Sequence, residues 1–178
     1  RGYVSNLEVE INDNLNLKNT NFNFFADQTD ILIKNINGES KIFKISDGDL
    51  KLIISKEIFL QSNFHTSLQH KDKSSINFLN LSDKLTFMKD LTNLEAELDH
   101  SFTISFDKTY KIKNYNYKNN GEILIANFDF KKPLMNYIST KKIDRLSLTN
   151  VKINTNYNST NNKIDLLGKY SLNKENFL

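Results

Sequence analysis

Hydrophobic and polar residues alternate with a period of two from Leu50 to Leu68, a pattern typical of β-strands with one apolar and one polar face. The residues Ser55 to Glu57 in the middle fit a three-residue hairpin loop. Such a loop pairs Ile54 with Ile58, so both halves of the alternation share one face. The pattern predicts a central hairpin whose apolar side is formed by Leu50, Leu52, Ile54, Ile58, Leu60, Phe64 and Leu68.

Similar alternations recur along the chain, and the longest uninterrupted one runs from Leu94 to Phe106. Short polar segments separate them. Asn37-Gly38, Asp47-Gly48-Asp49 and Lys118 to Gly121 are predicted to be turns, because Asn, Asp and Gly favour the conformations that hairpin turns need. About a dozen short strands joined in this way indicate an all-β fold. The linkers are too short for helical crossovers, so the sheet is predicted to be an antiparallel meander.

Several alternations change phase, as a bulge or bend in a strand would produce. One change lies near Asn19 to Asn21, and Ile143 to Ile153 is predicted to be one long bulged strand. Two short helices are also predicted. One of them, or an irregular crossing, lies at Ser82 to Asn93, and the other runs from Pro133 to Ser139, where proline suits a first helical turn.

Length and charge limit the classes of function. The 178 residues suit one domain, and we expect residues 1–178 to be a single β-rich segment of a longer, repetitive protein. The net charge is only +3, and only Arg1 and Arg145 are arginines, which is unfavourable for recognising bases or phosphates. No apolar run reaches the roughly 18 residues of a membrane helix. Asn is the most frequent residue, and we interpret this bias as genomic composition without functional weight.

Candidate chemistry is sparse. The chain has no Cys, so disulfides, thiolate nucleophiles and Cys-ligated metals are excluded. His65, His70 and His100 lack metal-ligand spacing. They are predicted to lie on a polar strand face, in a turn and on the apolar face, respectively. The close carboxylates Asp47 and Asp49 are assigned to a turn. Nucleotide-binding and hydrolase motifs are absent, and we predict no enzyme activity, no cofactor and no metal site.

Tyr110, Tyr115 and Tyr117 alternate with lysines, a pattern that would suit stacking on single-stranded nucleic acid. A strand with aromatic cross-strand partners and a lysine-rich edge explains the same residues more simply. Nucleic acid is therefore not an expected partner.

The apolar side of such a meander must be covered, and the alternation is compatible with three arrangements. The sheet can fold into a closed sandwich, form an outer-membrane barrel, or curl into an open groove that meets an apolar ligand. The five glycines leave few sites for the kinks that closing a barrel uses. A closed sandwich core remains the alternative to the groove.

The segments ISDGDLKLIISKEIFLQSNFHTSL and LEAELDHSFTISFDKTYKIKNYNYKNNGEI resemble the AsmA-like family of bacterial envelope proteins. The similarity lies in the repeated order of a turn with Gly and Asp, an alternating strand, a polar turn and another such strand. The resemblance implies an elongated, twisted β-groove in the periplasm, anchored to the inner membrane by a helix outside this segment. It also implies an apolar interior that passes phospholipid toward the outer membrane.

Taken together, these observations predict a non-enzymatic all-β segment, an antiparallel meander curled into an elongated open groove for phospholipid acyl chains. Further partners would be the membrane, through the external anchor, and other envelope proteins. An acyl chain gains about 0.8 kcal/mol per buried CH₂, so a lining of Leu, Ile and Phe can hold it. The alternative is a structural or adhesive β-sandwich surface module that binds protein. The predicted lining is Leu50, Leu52, Ile54, Ile58, Leu60, Phe64, Leu68, Leu98, Phe102, Ile104 and Phe106.

Overall fold

A single antiparallel sheet makes up the fold. The computed structural model describes residues 1–12, 15–71, 90–135, 142–173 and 175–177. In this part of the chain the sheet has ten strands, arranged side by side in the order of the sequence. They are β1 (Gly2–Asn12), β2 (Leu15–Ala26), β3 (Asp30–Glu39), β4 (Phe43–Ile54), β5 (Ile58–His70), β6 (Leu91–Phe106), β7 (Ile112–Met135), β8 (Lys142–Asn158), β9 (Asn162–Leu172) and β10 (Glu175–Phe177).

The predicted all-β antiparallel meander is confirmed, and the sheet is one open layer. It is uncurled, so the predicted groove is an open face. The extensive contacts between strands all join neighbours within the sheet, so no second sheet packs on the first in the described part of the chain. The closed β-sandwich is therefore wrong for these residues. The two edge strands, β1 and β10, do not pair with each other in the described part of the chain.

The helix predicted at Pro133 to Ser139 is wrong for its first three residues, which belong to strand β7. The backbones of Leu134 and Met135 pair with β8, and Pro133 lies where the register between β7 and β8 shifts. A proline is tolerated at such an irregularity because its missing N–H removes no regular ladder bond. Residues 136–139, and residues 82–89 of the other predicted helix, lie outside the described residues. Residues 91–93, the end of the helix predicted at Ser82 to Asn93, form the start of strand β6.

The central hairpin has the predicted register. Ile54 pairs with Ile58 and Leu52 pairs with Leu60 across the loop Ser55 to Glu57. The loop is closed by the backbone N–H of Ser55, which donates to the carbonyl oxygen of Glu57 at 3.1 Å. Strand β6 then pairs with β5 without any register shift, from Ile58 opposite Phe106 to His70 opposite Leu94.

Three other turns follow one rule of side-chain chemistry. Asp27, Asp107 and Asn158 each use one side-chain oxygen to accept backbone N–H groups from residues two to four positions later, at 2.7–3.1 Å. Such Asx turns replace the missing ladder bonds at the end of a strand. Hydrogen bonds to Thr29 and Asp30 lower the pKa of Asp27, and bonds to Thr109 and Lys111 lower that of Asp107. The polar segments Asp27 to Asp30, Asp107-Lys108 and Asn158 to Asn162 also predict turns from the sequence, and these three turns are confirmed.

The turns predicted at Asn37-Gly38, at Asp47 to Asp49 and at Lys118 to Gly121 are wrong, because all three segments lie inside strands. Within the described residues the strands are therefore longer than predicted. Glycine serves close packing here, since a Cβ on Gly121 would lie 2.1 Å from the carbonyl oxygen of Glu97 in the neighbouring strand. None of the described glycines has a positive φ.

Five of the seven residues with a positive φ are Asn or Asp residues at shifts of the pairing register, and the other two, Tyr110 and Asn173, lie outside the strands. Asn6, Asn19, Asn35 and Asp47, one in each of the strands β1 to β4, have φ between 50° and 56°. Asn and Asp tolerate this left-handed conformation better than other side chains. We call these four residues the bulge row. The predicted phase change near Asn19 is confirmed as one of its members, and Asn150 marks a similar shift in the long strand β8.

Side chains two residues beyond the bulges accept hydrogen bonds from the backbone of a neighbouring strand. The side-chain oxygen of Asn21 accepts the backbone N–H of Asn6 at 3.0 Å. In the same way Asn37 accepts from Asp47, and Asp49 accepts from Asn35, both at 3.4 Å. Asn therefore has a structural role at the bulge row, and the interpretation that its abundance only reflects genomic composition is wrong at these positions.

A cluster of buried apolar side chains lies across strands β6, β7 and β8. Leu91, Ala126 and Phe128 form this cluster, and Leu91 is almost completely inaccessible. Leu94, Ile123, Phe130, Leu146 and Leu148 pack against it. Elsewhere on the apolar side of the sheet most side chains are only partly buried.

The bulge row makes a test of backbone conformation possible. Asn35→Val should lower the free energy of unfolding by about 1–2 kcal/mol, because a β-branched residue is disfavoured in the left-handed region. Asn35→Gly should stay within about 0.5 kcal/mol of the original, because glycine adopts this conformation freely. Urea unfolding followed by circular dichroism would measure both values.

A matched control is Asn154→Val, at an exposed and regularly paired position of strand β8. There valine suits the extended backbone and should be neutral or stabilising. If valine had the same effect at both positions, the left-handed bulge at Asn35 would not be a constraint on folding.

Candidate apolar binding face

The register places all eleven predicted lining residues on one side of the sheet. Residues directly opposite each other in neighbouring strands share a face. Across β4, β5 and β6 the aligned rows are Ile54–Ile58–Phe106 and Leu52–Leu60–Ile104, followed by Leu50–Ser62–Phe102, Phe64–His100, Thr66–Leu98 and Leu68–Ala96. We call this side of the sheet the apolar face. The predicted lining therefore forms one continuous surface across three strands.

The lining residues are accessible. Ile54 is 43% exposed, and the other ten are partly buried by their neighbours within the sheet. A residue in a closed core would be more than nine-tenths buried, and none of the eleven reaches this level. Their open side can therefore contact another apolar surface.

The apolar face extends beyond the predicted lining. On one side it continues to Ile31 and Ile33 of β3, which lie opposite Leu52 and Leu50. On the other side it continues through Ile123 of β7 to β8 and β9, with Val151, Ile153, Leu166 and Tyr170. These residues stand out in the sequence only as further alternations. Bulges at Asn35 and Asn150 shift the phase between segments, so the pattern alone does not assign them to the same face.

A polar group interrupts the apolar face at its centre. His100 lies between Leu98 and Phe102 in β6 and stacks on Phe64, with ring centroids 4.6 Å apart. Its Nε2 is 2.7 Å from Oγ1 of Thr66, and its Nδ1 is 2.8 Å from the hydroxyl oxygen of Tyr117. We call His100, Thr66, Tyr117 and Asn119 the His100 network. The predicted position of His100, on the apolar face with its hydrogen bonds satisfied, is confirmed.

Burial sets the ionisation of this network. It lowers the pKa of His100, because the surrounding aromatic and aliphatic side chains disfavour the charged imidazolium. It also raises the pKa of Tyr117. At neutral pH both groups are uncharged, so the centre of the face is polar without carrying a charge.

His65 lies on the opposite, polar side of the same strands, as predicted. Its Nδ1 is 2.8 Å from Oδ1 of Asp99, and its Nε2 is 2.8 Å from Oε2 of Glu97. Ionised carboxylates can only accept, and both ring nitrogens can donate to them only when the imidazole is protonated, so this geometry favours the charged form. These two hydrogen bonds raise the pKa of His65, and the bond to Asp99 makes the larger contribution. The hydroxyl of Ser67 donates to Glu97 at 2.6 Å and lowers the pKa of that carboxyl group.

The third histidine differs from its prediction. His70 is the last residue of strand β5 and is buried, whereas a turn was predicted. The strand continues to this point because its pairing with β6 extends from Ile58 to His70. Among the described residues there is no group of three or more His, Asp or Glu side chains that could hold a metal ion.

Lys118 does not share a face with the neighbouring aromatic rings of the tyrosine-rich segment. Tyr115 and Tyr117 lie on the apolar face, opposite Ile104 and Phe102, whereas Lys118 points to the polar side opposite Ser101. Tyr117 stacks on Tyr157 of β8, with ring centroids 6.4 Å apart. The cross-strand aromatic pairing expected for this segment is therefore present.

No helix in the described part of the chain is long and apolar enough to cross a membrane. Comparisons with protein-family models, with curated proteins and with solved structures find no match.

His65 and His100 should titrate on opposite sides of the ordinary histidine pKa of about 6.5. NMR titration of the imidazole resonances should give a raised pKa for His65 and a lowered one for His100. Asp99→Asn should lower the pKa of His65, because it removes the strongest hydrogen bond to the imidazolium. Asp165→Asn on the distant strand β9 should leave it unchanged.

The raised pKa also has a consequence for stability. Protonated His65 stabilises the fold at pH values below its unfolded pKa, and this contribution is lost as the pH rises through the raised folded pKa. Asp99→Asn should therefore reduce the free energy of unfolding at about pH 6 more than at about pH 9. An equal loss at both pH values would contradict an ionic role for His65.

Proposed function

We propose that this chain is a non-enzymatic, lipid-binding segment whose apolar face accepts the acyl chains of phospholipids. The observation that carries the proposal is the gathering of eleven accessible Leu, Ile and Phe side chains on one side of a single-layer sheet. A soluble domain seldom leaves so large an apolar surface without a partner. Fatty acyl chains suit it because they need no directional contact and gain free energy from every apolar group they cover.

The wider setting of the proposal follows the resemblance to the AsmA-like family. The segment would belong to a longer periplasmic protein, anchored to the inner membrane by a helix outside these residues. Phospholipid would pass along the apolar face between the inner and outer membranes, and other envelope proteins would be further partners. A sheet with one continuous apolar face would support transport without catalysis, because movement of a lipid along it requires an apolar surface and no reacting group.

One observation favours the second candidate, a structural or adhesive module that binds protein. The outer side of β9 is unpaired over residues 162–169 in the described part of the chain, because β10 pairs only with Tyr170 to Leu172. Ile164 and Leu166 are 53% and 58% exposed there. Exposed strand edges can add a strand from another polypeptide.

Organic extraction of the purified chain should yield co-purified phospholipid, and Leu60→Lys should reduce the lipid-to-protein ratio on the order of tenfold. The lysine places an ammonium group at the centre of the lining, and covering it with an acyl chain costs several kcal/mol. Leu60 is only partly buried, so the variant should still fold, as circular dichroism would show.

Thr103→Lys is the matched control, since Thr103 is exposed on the polar side of the neighbouring strand. It adds the same charge and should retain its lipid. Absence of phospholipid from the original protein would reject the lipid-binding proposal in favour of the protein-binding module. If Leu60→Lys unfolds while Thr103→Lys stays folded, Leu60 belongs to a closed core.

A further inference from the structure

The His100 network lies between two apolar regions of the apolar face. Toward the loop between β4 and β5, the next rows contain Phe102, Ile104 and Phe106. Toward the opposite end of the strands they contain Leu98, Ala96 and Leu94, which lead to the buried cluster around Leu91. A long apolar ligand that lies along these strands must therefore cross the network.

Hydrogen-bond accounting leaves this network with a spare donor. A neutral imidazole has one N–H group and one acceptor nitrogen. If Nε2 carries the proton, it donates to Thr66, and the hydroxyl hydrogen of Thr66 is left over. Nδ1 then accepts from the hydroxyl of Tyr117 or from the amide Nδ2 of Asn119, which lies 3.4 Å away. If Nδ1 carries the proton, it donates to the hydroxyl oxygen of Tyr117, Thr66 donates to Nε2, and the hydroxyl hydrogen of Tyr117 is left over. In either tautomer one hydroxyl hydrogen of this pair is not used by His100.

Accessibility distinguishes the two hydroxyl groups. Thr66 is only 7% exposed and Asn119 only 5% exposed, because larger side chains surround them. Tyr117 is only partly buried and lies in the row of Phe102 and Tyr157. Of the two residues whose hydroxyl groups bond to His100, Tyr117 is therefore the more accessible to a ligand on the face.

We propose that the Tyr117 hydroxyl donates a hydrogen bond to an ester carbonyl of an acyl lipid lying on the apolar face. His100 is the positioning residue, because its protonated Nδ1 donates to the Tyr117 oxygen and leaves the hydroxyl hydrogen for the lipid. This inference rests on the proposed function, because it specifies which lipids the same face prefers. A pure hydrocarbon offers no acceptor, so with Nδ1 of His100 protonated the hydroxyl hydrogen of Tyr117 would be covered without a partner, which is unfavourable. An ester carbonyl is an uncharged acceptor attached directly to an acyl chain, and it suits a network that carries no charge.

Binding of two matched soluble lipids tests this inference. Dihexanoyl glycerophosphocholine carries ester carbonyls, and its dihexyl ether analogue has the same chains and headgroup without them. Calorimetric titration below the micelle concentration should show that the original protein binds the ester about threefold to tenfold more tightly, as expected for one hydrogen bond. Tyr117→Phe should bind the ester as weakly as the ether and should bind the ether as the original protein does.

Tyr115→Phe is the control, because Tyr115 lies on the same face two residues earlier and outside the His100 network. It should keep the preference for the ester. Equal binding of both lipids by the original protein, or an ester preference that persists in Tyr117→Phe, would overturn the inference while leaving the proposed function intact. Binding of neither lipid by the original protein would reject the proposed function together with the inference. Retained ether binding shows that Tyr117→Phe is folded.

Discussion

Backbone pairing between sequence neighbours is the constraint on which this structure depends. Each inner strand of the described sheet pairs with the strand before it and the strand after it, and each edge strand pairs with its one neighbour. Such pairing satisfies the backbone without any second layer. The apolar side chains can then be gathered only through register, which decides the face that each residue occupies. The single-layer sheet and its open apolar face both follow from this one arrangement.

The bulge row shows how the register is maintained over long strands. In β2 the apolar side uses Leu17 before the bulge and Phe22 after it, so its residue numbers change from odd to even. The extra residue Asn19 absorbs the difference. Without it, one half of the strand would present its apolar side chains to the wrong side of the sheet. A left-handed residue in each of four consecutive strands therefore keeps the alternation of the sequence consistent with a single apolar face.

Much of this fold was predictable, and the errors have one physical origin. Regular alternation with a short polar loop was sufficient to predict the register of β4 with β5, down to Ile54 opposite Ile58. Asn37-Gly38 and Asp47-Gly48-Asp49 were predicted to be turns because such residues indicate a left-handed or sharply bent backbone. A bulge makes the same conformational demand as a turn, and Asp47 meets it within a strand. Local chemistry therefore indicates where the backbone departs from the extended form but not whether the chain reverses.

The apolar lining of the candidate site was predictable from the sequence, whereas the His100 network was not. Its eleven apolar residues follow from alternation, since a period of two assigns each residue to one side. The His100 network does not, because Thr66, Tyr117 and His100 belong to three strands and lie 34 and 17 residues apart along the chain. Only the exact pairing of β5, β6 and β7 brings these side chains together. Features that depend on one strand were thus visible in the sequence, and features that depend on several strands required the structure.

The open shape of the face limits how strongly it can hold an acyl chain. A chain that rests on an uncurled layer is covered on one side, so its gain is roughly half of the ~0.8 kcal/mol per CH₂ of full burial. A bilayer surrounds the chain completely, and the face alone therefore does not compensate for its removal. A phospholipid that stays bound through purification would therefore need its second acyl chain or another apolar surface on this open side. If the apolar attraction is this weak, a single directional bond from Tyr117 would have a proportionally large effect on where a lipid lies.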